Sequence, residues 1–242
     1  MTSDPNIVLN KDMDDKTADI KQDQPVSPTL KDQRPDVTAG VYVRGHIRIH
    51  DPATGEVFID KPNAIHYENM SEAIAYSLSH RDQQFMYEMH FGNGGTAVDG
   101  TGVITYLTPN TTGQSAALYN ATYAKIIDDT DTANNADPVH NKMEVRHVPG
   151  NAYSDIIITC LLDYGEPATQ SVFDNSNTLN DTYTFDELGI KARSLDGTSG
   201  LESTGKLLTH VIFHPVQKSL NRLIQIDYTV RIQTLTNLSS IG

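Results

Sequence analysis

Apolar and polar positions alternate along much of this chain, and the cleanest run lies close to its end. In IQIDYTVRIQTL, Ile224, Ile226, Tyr228, Val230 and Ile232 share one face of an extended strand. Gln225, Asp227, Thr229, Arg231 and Gln233 share the other. Successive side chains of a strand point to opposite faces, so this segment reads as a strand with one buried side. VYVRGHIRIH and EVFID repeat the pattern nearer the start, joined by Asp51-Pro52-Ala53-Thr54-Gly55. Proline early in a turn and glycine at its end favour a hairpin. Further strands are expected at 85–91, 102–107, 143–148, 154–162, 207–213 and 223–235. Pro149-Gly150-Asn151 makes the turn between the 143–148 and 154–162 strands.

The period changes once. Met70, Ile74, Ala75 and Leu78 recur at helical spacing behind Asn69, Ser71 and Glu72, which predicts a helix over 70–80. Residues 116–127 fit either period. Residues 108–115 and 128–141 read as polar loops, and 163–206 reads as mostly irregular with a short strand at 182–185. About eight or more strands with one helix predict an antiparallel β-sandwich or barrel-like domain with long loops.

Residues 1–36 differ from this body. They are rich in Asp, Lys, Gln and Pro, with no aromatic residue before Tyr42, and Pro25, Pro28 and Pro35 interrupt any regular element. Such a segment buries too little apolar surface to offset chain entropy. The expected organisation is an extended N-terminal arm over 1–37 and a β-rich domain over 38–242. Pro25, Pro28 and Pro35 are candidate assembly contacts, on the expectation that the arm lies along a neighbouring subunit.

Charge narrows the partners. Eighteen Lys and Arg stand against 31 Asp and Glu, a net charge of −13. Long-range repulsion opposes binding to nucleic acid or an anionic membrane. No apolar run approaches the ~20 residues of a membrane helix. The polar N-terminus carries no signal-peptide pattern, so synthesis in a reducing cytoplasm is expected and the Asn110, Asn120 and Asn180 sequons carry no glycan message. Cys160, the sole cysteine, sits in the apolar run IIITCLLD and reads as a small buried hydrophobe rather than a nucleophile.

The candidate chemistry is thin. His46 and His50, and His210 and His214, repeat a four-residue spacing. Strand residues four apart lie roughly 13 Å apart, too far for one metal's ligand shell. Asp128, Asp129, Asp131 and Asp137 crowd one loop but lack the glycine and final glutamate of a calcium-binding EF-hand. Asp163 and Glu166 resemble a glycosidase acid–base pair in spacing, yet a strand-end turn needs the same residues. Gly92-Asn93-Gly94-Gly95 suggests a phosphate cradle, but no Lys-Ser or Lys-Thr follows. No catalytic residue, metal or cofactor is expected. The glycine turn reads instead as a shaped loop between strands, with Gly92, Asn93, Gly94 and Gly95 as further candidate assembly contacts.

Three stretches carry a resemblance. VRGHIRIHDPATGEVFIDKPNAIHYENMSEAIAYSLSHR, FGNGGTAVDGTGVITY and HPVQKSLNRLIQIDYTVRIQ resemble virion structural proteins of tailed bacteriophages, particularly contractile-tailed myoviruses. The resemblance implies a non-enzymatic, multi-copy part of the virion. Its first expected place is a neck or collar ring at the head–tail junction, in contact with itself and with portal, neck or tail proteins. Capsid decoration and a tail or baseplate position are the alternatives. A receptor- or glycan-binding β module on an appendage is another, with Tyr106, Tyr119 and Tyr123 as its candidate residues.

Overall fold

The computed structural model describes residues 39–81, 84–134, 141–167 and 182–236. Nine strands form one antiparallel sheet in the order β6-β3-β9-β10-β2-β1-β11-β8-β7, curled into a half-barrel. In chain order these are β1 (Ala39–His50), β2 (Val57–Ile65), β3 (Met86–Gly92), β6 (Ala121–Ile126), β7 (Lys142–His147), β8 (Tyr153–Leu162), β9 (Thr182–Ala192), β10 (Leu207–Ser219) and β11 (Ile224–Thr236). Two short strands, β4 (Thr96–Val98) and β5 (Ile104–Tyr106), pair only with each other among the described residues. One helix, α1 (Tyr67–Ser79), follows β2. The expected mainly β, barrel-like architecture with one helix is what the chain forms.

The closing alternation does what its pattern dictates. Ile224, Ile226, Tyr228 and Val230 are fully buried, and β11 lies between β1 and β8. Cys160 lies opposite Ile226 and is fully buried. Burial pushes its thiol up to about 12; Lys125 opposes this and Glu166 adds to it. The cysteine is thus a core residue, inert at neutral pH. Ile47 and Ile49 from β1, and Phe91, Phe185 and Phe213 from β3, β9 and β10, complete the core. Phe185 is its aromatic hub: it stacks on Tyr183 at 5.6 Å and meets Phe91 and Phe213 edge-on at 5.5 and 5.8 Å.

Two strands divide their partners. β1 pairs with β11 along its whole length, from Ala39 opposite Thr236 to His50 opposite Gln225. It pairs with β2 only from Gly45 onward, so among the described residues Ala39–Arg44 has one edge without a strand partner. Beyond Asn63, β2 leaves β1 and joins β10 through Ala64 and Ile65. β2 therefore links the two halves of the sheet. At the hairpin between β1 and β2, Asp51 Oδ1 accepts the amides of Ala53 and Thr54, and Arg222 reaches both Asp51 and Glu56.

Two expectations need correction, and one open reading is decided. The helix starts at Tyr67 rather than 70, because His66 caps it: its Nδ1 accepts the Asn69 amide at 3.2 Å. Asn69 is instead buried, its side-chain amide donating to Leu207 O at 2.9 Å. Residues 121–126 of the ambiguous 116–127 segment form a strand, β6. The second correction is the larger: β9 runs eleven residues to Ala192, not four to Phe185, and β10 runs on past Phe213 to Ser219.

Phe185→Ala removes the hub of the aromatic cluster. It is expected to lower unfolding free energy by about 3–5 kcal/mol, read as a fall in the urea midpoint with an unchanged slope.

Candidate functional site

β9 is buried along its centre, and its sequence carries a fault in the alternation. Tyr183 and Phe185 face the core, and so do Leu188, Ile190 and Ala192. The phase slips by one residue at Asp186-Glu187. The strand beside it slips too: Ile212 pairs with Glu187 and Val216 with Phe185, so three residues of β10 stand opposite Asp186 alone. A bulge of this kind re-aims side chains. Here it lets two adjacent carboxylates serve the same loop.

Both carboxylates are buried, and both are held by the glycine turn. Gly95 N donates to Asp186 Oδ1 at 2.8 Å and Thr96 N to Asp186 Oδ2 at 3.0 Å; the Thr96 hydroxyl also donates to Oδ2. Gly94 N donates to Glu187 Oε1 at 3.1 Å. Glu187 accepts three more bonds, from Asn120 N at 2.8 Å, Tyr119 N at 2.9 Å and His210 Nε2 at 3.0 Å. His210 Nδ1 accepts the Asn110 amide at 2.8 Å, so the ring holds its proton on Nε2 and donates it to Glu187. One side chain thus fastens the glycine turn, the 107–120 loop and β10 together.

GNGG, read from the sequence as a shaped loop and not a phosphate cradle, does gather anions, but they are the protein's own carboxylates. Backbone amides converge on a negative charge, as in a phosphate-binding nest. Burial pushes the Glu187 carboxyl up, and the bonds from His210, Asn120 and Tyr119 outweigh it, leaving the group below its ordinary value.

The glycines serve close approach rather than positive φ. None of Gly92, Gly94 and Gly95 has a positive φ. A Cβ on Gly92 would meet Asn120 O and Glu187 Oε1 at 2.5 Å, and one on Gly94 would meet Asn120 N at 2.8 Å. Gly92 and Gly95 are buried and Asn93 is exposed. Pro25, Pro28 and Pro35 lie outside the described residues, as does Asp137.

What the turn presents is the β4–β5 hairpin. Leu107 N donates to Gly95 O at 2.9 Å and seals its base. Residues 97–103 and 105–108 are all exposed. At the tip, Asp99 Oδ1 accepts from Thr101 N, Thr101 Oγ1 and Val103 N.

Other candidate groups are dispersed into local bonds. His46 pairs with Asp60, His50 with Asp227, and His214 meets the Tyr106 hydroxyl. Asp128 and Asp131 each close a tight turn, and Asp131 also accepts the Tyr87 hydroxyl at 2.8 Å. Glu166 accepts Lys125 Nζ at 2.6 Å and Asp163 N at 2.9 Å, the arrangement of a strand-end turn. A second buried carboxylate–histidine pair, Glu88 and His90, takes the Gly200 amide at 2.7 Å. Burial holds the His90 imidazolium below the usual histidine range, against the Glu88 carboxylate. Among the described residues, no three His, Cys, Asp or Glu side chains are grouped to hold a metal, and no helix is long and apolar enough to cross a membrane.

Sequence reasoning missed Asp186, Glu187 and the partnering of His210. The signal was the slipped alternation in YTFDELGIKA, which marks a bulged strand rather than a strand that stops.

Glu187→Ala leaves three amides and an imidazole without their acceptor and is expected to cost about 3–5 kcal/mol, measured by urea unfolding. Gly92→Ala is expected to cost about 1–3 kcal/mol, because the backbone carbonyl it meets cannot give way cheaply. The depressed Glu187 carboxyl sets a pH dependence. Its contribution is complete above the ordinary value of 4.5 and is lost as pH falls through the lower folded value. Glu187→Gln is expected to flatten that part of the acid limb in a stability–pH profile.

No protein-family model, curated protein or solved structure matches the chain.

Proposed function

We propose that this chain is a non-enzymatic structural component of a tailed-bacteriophage particle. It assembles in multiple copies as a neck or collar ring at the head–tail junction. The observation that carries the reading is what the buried ionisable groups do. Asp186, Glu187 and His210 are committed to bonds that hold a loop and project a hairpin. The exposed hairpin carries Val98, Val103 and Tyr106, large apolar groups of the kind that mark a contact surface. The resemblance to virion proteins and the net charge of −13 support the same reading. Capsid, tail and baseplate positions fit the same chemistry.

Residues 1–36 and the 92–102 segment are the proposed intersubunit elements, and identical subunits joined head to tail close into rings. Expected partners are further copies of the chain and portal, neck or tail proteins, with no role for a membrane or for sequence-specific nucleic acid. The expected location is the virion, after synthesis in the host cytoplasm.

A glycan- or receptor-binding module is the second reading, favoured by the exposure of Tyr106 and Tyr119. Both hydroxyls are already engaged, by His214 and by Thr108 O, which leaves ring faces as the binding feature.

Electron microscopy of purified protein is expected to show closed rings. Removal of residues 1–36 is expected to leave a folded chain that no longer closes them. A glycan array that retains the chain on defined sugars, with no ring at any concentration, contradicts the structural reading.

A further inference from the structure

Two surfaces of the described domain lack a partner, and they complement each other. The first is a groove of about 650 Å³ where β2 peels away from β1. Tyr42, Val43 and Arg44, from the stretch of β1 that has no second strand partner among the described residues, form one wall, and Tyr67 also lines it. Tyr42 is 53% and Tyr67 70% exposed. Arg44 is exposed and makes no ion-pair contact among the described residues; its charge is felt by Asp155, the carboxylate that the neighbouring Arg231 already holds with two bonds. Exposed edges invite pairing, and proteins usually blunt them with charges. The outermost strand β7 shows that protection, with Lys142, Glu144 and Arg146 alternating along it. The free stretch of β1, AGVYVR, has a single charge at its end and a Tyr and Arg of the kind that dominate protein contacts.

The second surface is the β4–β5 hairpin. Among the described residues it pairs with no other strand, and a two-stranded hairpin alone is marginally stable in water. Val98 and Val103 are 65% and 56% exposed, and nothing lies within 4 Å of where a Cβ on Gly100 or Gly102 would sit. Asp99 is the only charged residue from Gly92 to Leu107. It accepts bonds from Thr101, Val103 and Gly102 of its own turn, and among the described residues it has no cation as ion-pair partner.

We infer that the β4–β5 hairpin of one copy docks in the β1–β2 groove of the next. Val98 and Val103 pack against Tyr42 and Tyr67, a free hairpin edge pairs with Ala39–Arg44, and Asp99 meets Arg44. Groove and hairpin are different surfaces of one chain, so the contact is head to tail and propagates into a ring. The inference rests on the assembly reading above and adds the surfaces that meet.

The test uses the full chain and two variants altered only at exposed positions. Val98→Asp/Val103→Asp disables the hairpin and leaves the groove. Tyr42→Thr/Arg44→Glu disables the groove and leaves the hairpin. By native mass spectrometry and light scattering, each variant alone is expected to associate at least about a hundredfold more weakly than wild type, as loss of two central contact residues implies. Mixed, they retain one working interface between them and are expected to give a 1:1 dimer and nothing larger. A second readout does not depend on those substitutions. A Val98→Cys copy mixed with a Tyr42→Cys copy is expected to cross-link through a short bis-maleimide, while neither copy does so with itself; the buried Cys160 stays silent. Variants that assemble like wild type, or a mixture that gives neither dimer nor cross-link, overturn the docking inference and leave the assembly reading standing. Wild-type protein that stays monomeric at millimolar concentration overturns both.

Discussion

Two adjacent buried carboxylates organise the surface that this protein presents. Asp186 and Glu187 sit on a central strand, where unpaired negative charge is costly. Each is ringed by donors, mostly backbone amides of loops that have no ladder of their own. The exchange works in both directions. The buried carboxylate oxygens need donors in the interior, and the amides of an irregular turn need an acceptor once buried. Neither the strand's charge nor the loop's course is stable without the other.

The hairpin beyond the turn depends on this arrangement. Its strands are three residues long and, among the described residues, pair only with each other. Beyond the contact of Tyr106 with His214, such a hairpin is held at its base, where Gly94, Gly95 and Thr96 are fastened. His210 extends the same tie to the 107–120 loop and to β10. A flexible-looking glycine segment is thereby turned into a rigid mount, which suits a contact surface that must not lose entropy when a neighbour arrives.

How much of this was legible in the sequence follows from what each signal reports. Alternation in β11 reported a buried face, and the core sits on it. The β1–β2 turn reported its own geometry through Pro52 and Gly55. The helix start was displaced because a histidine nitrogen does the capping that Asn, Ser or Asp usually does. β9 was cut short at Phe185 because DELGIK looks polar. Asp186–Ile190 are buried by partners distant in sequence, and only the slip from Phe185 to Leu188 recorded that. The glycines of GNGG were visible, but their cause was not. They make room for Glu187 and Asn120, contacts that only the folded chain creates.

Amide hydrogen exchange on the wild-type protein tests this account most directly. The amides of Gly94, Gly95, Thr96, Tyr119 and Asn120 lie outside the main sheet's ladder, yet each is bound to a buried carboxylate. They are predicted to exchange as slowly as the amides of β11 at neutral pH, and much more slowly than the exposed tip residues Gly100 and Thr101. Exchange of all five at the rate of the hairpin tip would contradict the claim that Asp186 and Glu187 fix the turn.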